Sequence, residues 1–152
     1  MPFEPSTDPG AAPPAPSGHR LASHTADCFI EAWGPDQATC TEEALAALVE
    51  VFASVDDAPV TRVLPLGTDA GQPEDMLVAL LEDVIYTVEV LAVVPVRFHL
   101  AGTEDGGLAG EMEVVPVEQV VATGPAPKAV SYHRLSMELR EGRWQCQALI
   151  DV

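Results

Sequence analysis

Lysine is almost absent from this chain of 152 residues, and basic residues of either kind are few. Lys128 is the single lysine; Lys and Arg together number 7 against 24 Asp and Glu, so the formal net charge is −17 at pH 7. Proteins that bind nucleic acids neutralise phosphates with Lys and Arg, and a chain this acidic repels a polyanion at long range. The composition therefore disfavours direct RNA or DNA binding and favours a cation or a basic protein as partner.

The chain also lacks a long apolar run and a secretory signal. The longest nearly apolar stretch, residues 88–98, contains Glu89, Pro95 and Arg97. It is shorter than the ~20 residues that a membrane helix needs. The N-terminus has no basic region followed by an apolar one, which a signal peptide would show. We therefore expect a cytoplasmic protein without a membrane-spanning segment.

Cysteine is scarce, and its spacing does not indicate a metal site. Cys28, Cys40 and Cys146 are odd in number, widely separated and without a CxxC pair, so neither a zinc site nor a disulfide framework is predicted. We expect buried thiols in a reduced compartment. Hydrophobic residues make up 47% of the chain and the mean hydropathy is +0.15, which predicts a folded body.

Standard catalytic templates are missing as well. The sequence has no GxSxG, GxxxxGK[ST] or HExxH segment and no EF-hand loop. Its four histidines, His19, His24, His99 and His133, are isolated from one another. A lone histidine on a strand is more often a structural residue than a metal ligand. These patterns indicate none of the standard catalytic sites.

Proline is concentrated at the N-terminus. Residues 1–18 hold six of the 14 prolines and little apolar material, so they are predicted to be a disordered leader rich in Pro and Ala. Residues 19–152 are predicted to form one domain. That domain keeps a net charge of −15, because the leader contains only two of the acidic residues.

Hydrophobic periodicity predicts the order β-α-β-α-β-β-β-β. The predicted elements are a strand at 19–34, a helix at 39–55 with a capping box of Thr39 and Glu42, a strand at 60–66, a helix from Pro73 to about residue 88, and strands at 96–101, 108–117, 129–139 and 144–152. A run of late strands with only two helices predicts an α+β domain, in which two helices pack on a mostly antiparallel sheet.

Two polar segments stand out against this pattern. His24, Thr25 and Asp27 interrupt the first predicted strand, and Asp151 and Val152 end the last one. If these strands are neighbours, two aspartates converge with the terminal carboxylate, and three carboxylates repel one another unless a cation neutralises them. Oxygen ligands favour a hard divalent ion, Ca²⁺ or else Mg²⁺ or Mn²⁺. The ordinary alternatives are a strand bulge whose polar side chains satisfy backbone amides, and acidic residues at a solvated strand end.

Four segments of the chain resemble the archease family. They read HTADCFIEAWG, LVALLEDVIY, KAVSYHRLSMEL and WQCQALIDV, and the resemblance covers nearly everything from residue 19 to residue 152. It implies a cytoplasmic activator of the RtcB-type RNA ligase that is not itself an enzyme. The activator would promote guanylylation and multiple turnover of that ligase in tRNA splicing or RNA repair. The resemblance also implies a metal site at Asp27, Asp151 and Val152. Lys128 matches a further functional position, and His24 and His133 are expected to support the site or contact the partner.

The chain departs from the family pattern at two places. In the second helix, Ala79 and Leu80 stand where the family usually has an acidic residue followed by an aromatic one. Glu82 and Asp83 stand where an Asn-Glu pair is usual. Arg134 replaces the glycine that often follows the Tyr-His pair. Contacts made by that helix are therefore expected to differ in detail.

Three functions are compatible with these residues. The first is the ligase activator, and the second is a general chaperone-like or protein-binding module without ligase specificity. The third is a small metal-dependent hydrolase, for which no general base and no substrate pocket can be named. Lys128 also has two interpretations: a solvated loop residue after Pro127, or a side chain that pairs with the acidic cluster or reaches a ligase-bound phosphate.

Overall fold

The computed structural model describes residues 16–24, 27–55 and 59–152, with the backbone alone at Ser23 and His24. Most of the predicted leader, residues 1–15, lies outside the described residues, as do residues 25–26 of the polar segment. Gly18, the last residue of the predicted leader, is the first residue of β1 and pairs with Trp33.

Strands make up most of the regular structure in the described residues. The elements are β1 (Gly18–His24), β2 (Asp27–Gly34), α1 (Gln37–Glu50), β3 (Ala53–Ser54), β4 (Arg62–Thr68), α2 (Pro73–Leu91), β5 (Val93–Gly102), β6 (Leu108–Pro116), a 3₁₀ turn (Val117–Gln119), β7 (Val121–Ala122), β8 (Ala129–Arg140) and β9 (Arg143–Asp151). Neither of these two helices is long and apolar enough to cross a membrane.

The described strands form a four-stranded sheet of order β1-β2-β9-β8, a three-stranded sheet of order β4-β6-β5 and a short β3-β7 pair. Every strand pair is antiparallel. The predicted α+β class, with two helices packed on antiparallel strands, and the predicted order of the main elements are confirmed. Alternation along a strand does not say which strands are neighbours, so the division into two larger sheets comes from tertiary pairing.

The first predicted strand is a hairpin of β1 and β2. The chain reverses between His24 and Asp27, which are Cα partners in the antiparallel register. A single strand of that length would span about 50 Å, well beyond the usual 3–10 residues. The polar segment thus marks the point where the hairpin turns.

The start and end of α1 differ from the prediction. Asp36 is the N-cap, and its Oδ1 accepts a hydrogen bond from the Thr39 backbone N–H at 2.7 Å. The predicted capping box is therefore wrong, because this aspartate already satisfies the amide. Glu42 instead accepts a hydrogen bond from the Leu100 backbone N–H at 2.7 Å, which ties α1 to β5. The helix ends at Glu50, because the following strand β3 pairs with β7.

The second helix agrees more closely with its prediction. α2 begins at Pro73, where the missing N–H of proline is not needed. It runs to Leu91, and Ala92 ends it with a left-handed backbone, φ +56°. The apolar periodicity of this segment also predicts a core-facing stripe that ends at Val88, which is half-buried. The other members of the stripe are buried, namely Met76, Leu77, Leu80, Leu81, Val84 and Ile85.

Both helices pack on one face of the four-stranded sheet. The alternate residues of β2 and β9 that point to the helices are buried: Cys28, Ile30, Ala32, Cys146, Ala148 and Ile150. The predicted burial of all three cysteines is confirmed, and the Cys40 thiol of α1 donates to the Ala32 carbonyl oxygen at 3.6 Å. We call the opposite face of this sheet the outer face.

Candidate metal and partner site

Asp27 and Asp151 face each other across the central strand pair of the four-stranded sheet. Asp27 is the first residue of β2, Asp151 is the last residue of β9, and the register makes them Cα partners. Directly opposed residues have their side chains on the same face, with Cβ atoms about 4.5–5.5 Å apart. Because the next pair, Cys28 with Ile150, points to the helices, the two carboxylates point to the outer face.

The strand that carries Asp151 is held on both sides. Asp151 also pairs with Ala129 of β8, and the Lys128 backbone N–H donates to the Asp151 carbonyl oxygen at 2.8 Å. Val152, the predicted third member of the site, follows directly. We call Asp27, Asp151 and Val152 the acidic edge.

Lys128 and Val152 lie on the helix side of the same corner. Both line a cleft of about 700 Å³, together with Val88 and Glu89 of α2 and the loop at 125–127. The Lys128 side chain is exposed, and within the described ranges its ammonium belongs to no ion pair. Its contact with the acidic edge is made by the backbone N–H.

The two aspartates have no compensating cation among the described residues. Neither Asp27 nor Asp151 belongs to an ion pair there, although like charges directly opposite each other destabilise a strand pair. Carboxylate oxygens are the ligands that hard cations prefer. The pair thus has the oxygen-donor chemistry that a divalent ion prefers. In the part of the chain that the structure describes, no group of three His, Cys, Asp or Glu side chains is arranged to hold a metal.

The two supporting histidines have different relations to this edge. His24 is the Cα partner of Asp27, so it lies in the same cross-strand row as the acidic edge, and its side chain falls outside the described residues. His133 is exposed in β8, and its backbone N–H donates to the Ser131 Oγ at 3.0 Å. Only His24 belongs to the row of the acidic edge.

An irregularity in β8 was missed by the sequence pattern. The register pairs Ser131 with Leu149 and Ser136 with Gln147, so five steps along β8 match two steps along β9 and three residues are extra. We call residues 132–135 the β8 bulge. Tyr132 and His133 are both exposed within it.

Arg134 has a left-handed backbone within the bulge, with φ +62°. Its carbonyl oxygen accepts a hydrogen bond from Gln147 Nε2 at 2.7 Å, and its guanidinium lies over the Phe29 ring, 5.1 Å from the centroid. The bulge therefore reaches across β9 to β2 on the outer face. The one sequence signal for this irregularity is at position 134, where arginine replaces the glycine that is often found in the family.

The far end of the outer face has arginines stacked on a tryptophan. Arg20 and Arg143 lie over the Trp33 ring, 5.7 and 6.0 Å from its centroid, and Arg20 also pairs with Glu31. Gly18 leaves room for the indole, because a Cβ there would lie 2.7 Å from a Trp33 ring carbon. We call these five residues the tryptophan row.

Comparison with known proteins identifies the family that has this architecture. A model of the Archease protein family matches residues 19–152. The chain belongs to the archease family. Two curated proteins, each named probable protein archease, come from Mycobacterium tuberculosis strains CDC 1551 / Oshkosh and ATCC 25618 / H37Rv. Each is 34% identical over 140 residues, which are 92% of this chain and 78% of the relative.

Two solved structures are similar in fold. Protein 1598 of Methanobacterium thermoautotrophicum has a TM-score of 0.72 at 18% identity, over 89% of this chain and 99% of its own. A Thermotoga maritima protein, described as an archease and possible chaperone, has a TM-score of 0.63 at 20% identity, over 88% of this chain and 96% of its own. At these identities the likeness concerns the archease fold alone.

Proposed function

We propose that this archease-family chain activates an RtcB-type RNA ligase by presenting the acidic edge to it. The supporting observation is that Asp27 and Asp151 oppose each other directly, with no compensating cation among the described residues. The sheet holds this pair in an electrostatically unfavourable position, so a divalent ion or a basic partner surface would stabilise it. The role is accessory: the chain promotes guanylylation and multiple turnover of the cytoplasmic ligase in tRNA splicing or RNA repair.

Charge supports the choice of partner. A ligase site that holds GTP, RNA phosphates and metal ions is expected to be strongly positive, whereas this chain carries −17. Opposite fields of this kind steer association and raise its rate, most strongly at low salt. An RNA duplex or strand has the wrong sign for direct binding.

The acidic edge would hold the divalent ion that the resemblance implies. Asp27, Asp151 and the α-carboxylate of Val152 are the proposed ligands, with Ca²⁺ first and Mg²⁺ or Mn²⁺ as alternatives. When bound, such an ion offsets negative charge in phosphoryl chemistry. The chain itself orients the ligands, because the β2–β9 register sets the two aspartates opposite each other and the Lys128 N–H secures the end of β9.

The decisive experiment is a single-turnover guanylylation assay of the ligase with and without the full chain. We expect Asp27→Asn and Asp151→Asn each to lower the stimulation by at least about tenfold, since each removes a charged ligand while preserving shape. Glu111→Gln is the matched control, because it makes the same charge change at an exposed position in the other large sheet. Full stimulation by both Asn variants, with unchanged circular dichroism, would contradict the proposed role of the edge.

A chaperone-like module is the second candidate. It is favoured by exposed apolar side chains on α2, where Tyr86 is 58% and Val90 is 56% exposed. Suppression of the aggregation of an unrelated unfolded protein, without any effect on guanylylation, would support it over the ligase activator. Hydrolysis of GTP or of a phosphoester by the chain alone would instead support the hydrolase.

A further inference from the structure

We propose that the β8 bulge is a protein-docking element in which Arg134 binds a carboxylate on the partner's surface. The proposal rests on the ligase partnership above, and it adds to that partnership a second contact beside the acidic edge. Three observations on Arg134 and its surroundings carry it.

The first observation is the backbone of Arg134. A φ of +62° is unstrained for glycine and costly for arginine. Strained residues of this kind persist where neighbouring groups hold them, and they cluster at functional sites. Here the Gln147 amide holds the Arg134 carbonyl, and the Ser131 hydroxyl accepts the His133 N–H. Arg134 therefore occupies a position where glycine would adopt the same backbone conformation at a lower energetic cost.

The second observation is how the Arg134 guanidinium is presented. It rests on the Phe29 ring, Arg134 is exposed, and within the described ranges its guanidinium belongs to no ion pair. A guanidinium fork held by stacking loses less freedom on binding, and it matches a carboxylate in a two-point contact. Phe29 lies two residues after Asp27 on the same face, about 7 Å along the strand. The guanidinium and the two aspartates of the acidic edge therefore share the outer face.

The third observation concerns the partner group that binds Arg134. Tyr132, in the same bulge, is 63% exposed, and tyrosine and arginine are, with tryptophan, enriched at the energetic centres of protein interfaces. A chain of charge −17 repels a nucleic-acid backbone, so a single carboxylate on a protein surface is the better match for this one guanidinium. The expected partner surface has a carboxylate beside the basic group that meets the acidic edge.

Arg134→Gly provides a sharp test, because it removes the side chain and also relieves the left-handed strain. Binding of the full chain to ligase free of nucleic acid is measured by calorimetry. We expect the Kd to weaken by about tenfold or more, while the melting temperature stays equal or rises. A variant that is as stable as the parent and binds worse has not failed by unfolding. Tyr132→Ala is expected to weaken binding as well.

Two matched control variants test whether relief of backbone strain, or loss of a positive charge elsewhere, changes the Kd without any loss of the Arg134 contact. Glu141→Gly relieves the same kind of strain, φ +54°, in the turn between β8 and β9. Arg62→Gln removes the same charge from the exposed start of β4, in the other sheet. Both are expected to keep the parent Kd. Arg134→Lys keeps the charge without the planar fork and is expected to give an intermediate Kd.

Four other results would overturn the docking role of Arg134, and each has its own signature. If Arg134→Gly binds and stimulates like the parent, the docking role fails while the ligase activation stands. If the parent neither binds nor stimulates the ligase, both proposals fail. If affinity is lost only when the ligase carries RNA, the contact is to phosphate. If sedimentation shows a parent dimer that Arg134→Gly dissociates, the occupant is a second copy of the chain.

Discussion

The two ends of the outer face handle charge in opposite ways. In the tryptophan row, Arg20 pairs with Glu31, and Arg20 and Arg143 stack on Trp33. At the acidic edge, two aspartates oppose each other, and neither forms an ion pair within the described residues. Both ends belong to the same strands, so the difference lies in the side chains and not in the fold.

This contrast separates a structural region from a candidate functional one. Charges that are satisfied inside the molecule contribute to folding and leave little for a ligand. Charges that the fold places together without a counter-ion are stabilised by whatever binds them, so binding and stability become linked. Three changes test this division: an added divalent cation, Trp33→Ala and His19→Gln, with effects expected to decrease in that order.

The largest effect is expected from adding a divalent cation. An ion that binds only the folded chain stabilises it by about 2.7 kcal/mol at 100 times its Kd. Thermal unfolding of the parent should therefore shift upward from EDTA to Ca²⁺, Mg²⁺ or Mn²⁺, and Asp27→Asn should abolish the shift. Without cation, Asp27→Asn should not destabilise the chain, because it removes a like-charge pair.

The control for this experiment is Glu138→Gln, at the opposite end of the same sheet. Glu138 pairs with Arg140, away from the acidic edge. Its substitution is expected to keep the cation shift. An equal shift in Asp27→Asn and in the parent would show that the ion binds elsewhere.

A smaller effect is expected from Trp33→Ala. This substitution removes a half-buried ring that packs over Gly18 and makes cation–π contacts with two arginines. We therefore expect a loss of about 2 kcal/mol in the free energy of unfolding. Urea denaturation measures this loss. The cation shift should survive, because the tryptophan lies at the other end of the face. Tyr86→Ala, at an exposed ring on α2, should cost less than about 0.5 kcal/mol.

The smallest effect is expected from His19→Gln. His19 connects the end of β1 near the tryptophan row to α1. His19 Nδ1 lies 2.8 Å from Glu43 Oε1, and His19 Nε2 lies 2.9 Å from Glu50 Oε2. Burial alone lowers the pKa of His19, but hydrogen bonds and charge from the two carboxylates outweigh it and raise the pKa above 6.5. The stabilisation is therefore complete below pH 6.5 and is lost as the pH rises through the folded-state pKa.

His19→Gln tests this ion pair. We expect the variant to lose about 0.5–1 kcal/mol near pH 6 and to show a flatter stability profile between about pH 6 and 8 than the parent. Stability is measured by urea denaturation across that range. Parallel profiles for the two proteins would contradict the role of His19.

Much of the fold followed from local pattern. The start of α2 at Pro73 and the four late strands, which pair as two hairpins, were predicted, because each depends on neighbours within a few residues. The N-cap of α1 was missed because Asp36 and Thr39 are both good capping residues, and the choice between them depends on where the chain leaves β2. The β8 bulge was missed because alternation continues on both sides of it.

The sequence by itself determined the chemistry that is available: an acidic chain with one lysine, two polar segments that contain Asp27 and Asp151, and no catalytic template. Side-chain type and periodicity are local properties, so they can be read from the order of residues. The tertiary structure alone decided that Asp27 faces Asp151 and that Arg134 reaches Phe29. Those contacts join residues more than 100 positions apart, and their register depends on how the two helices and four strands pack together.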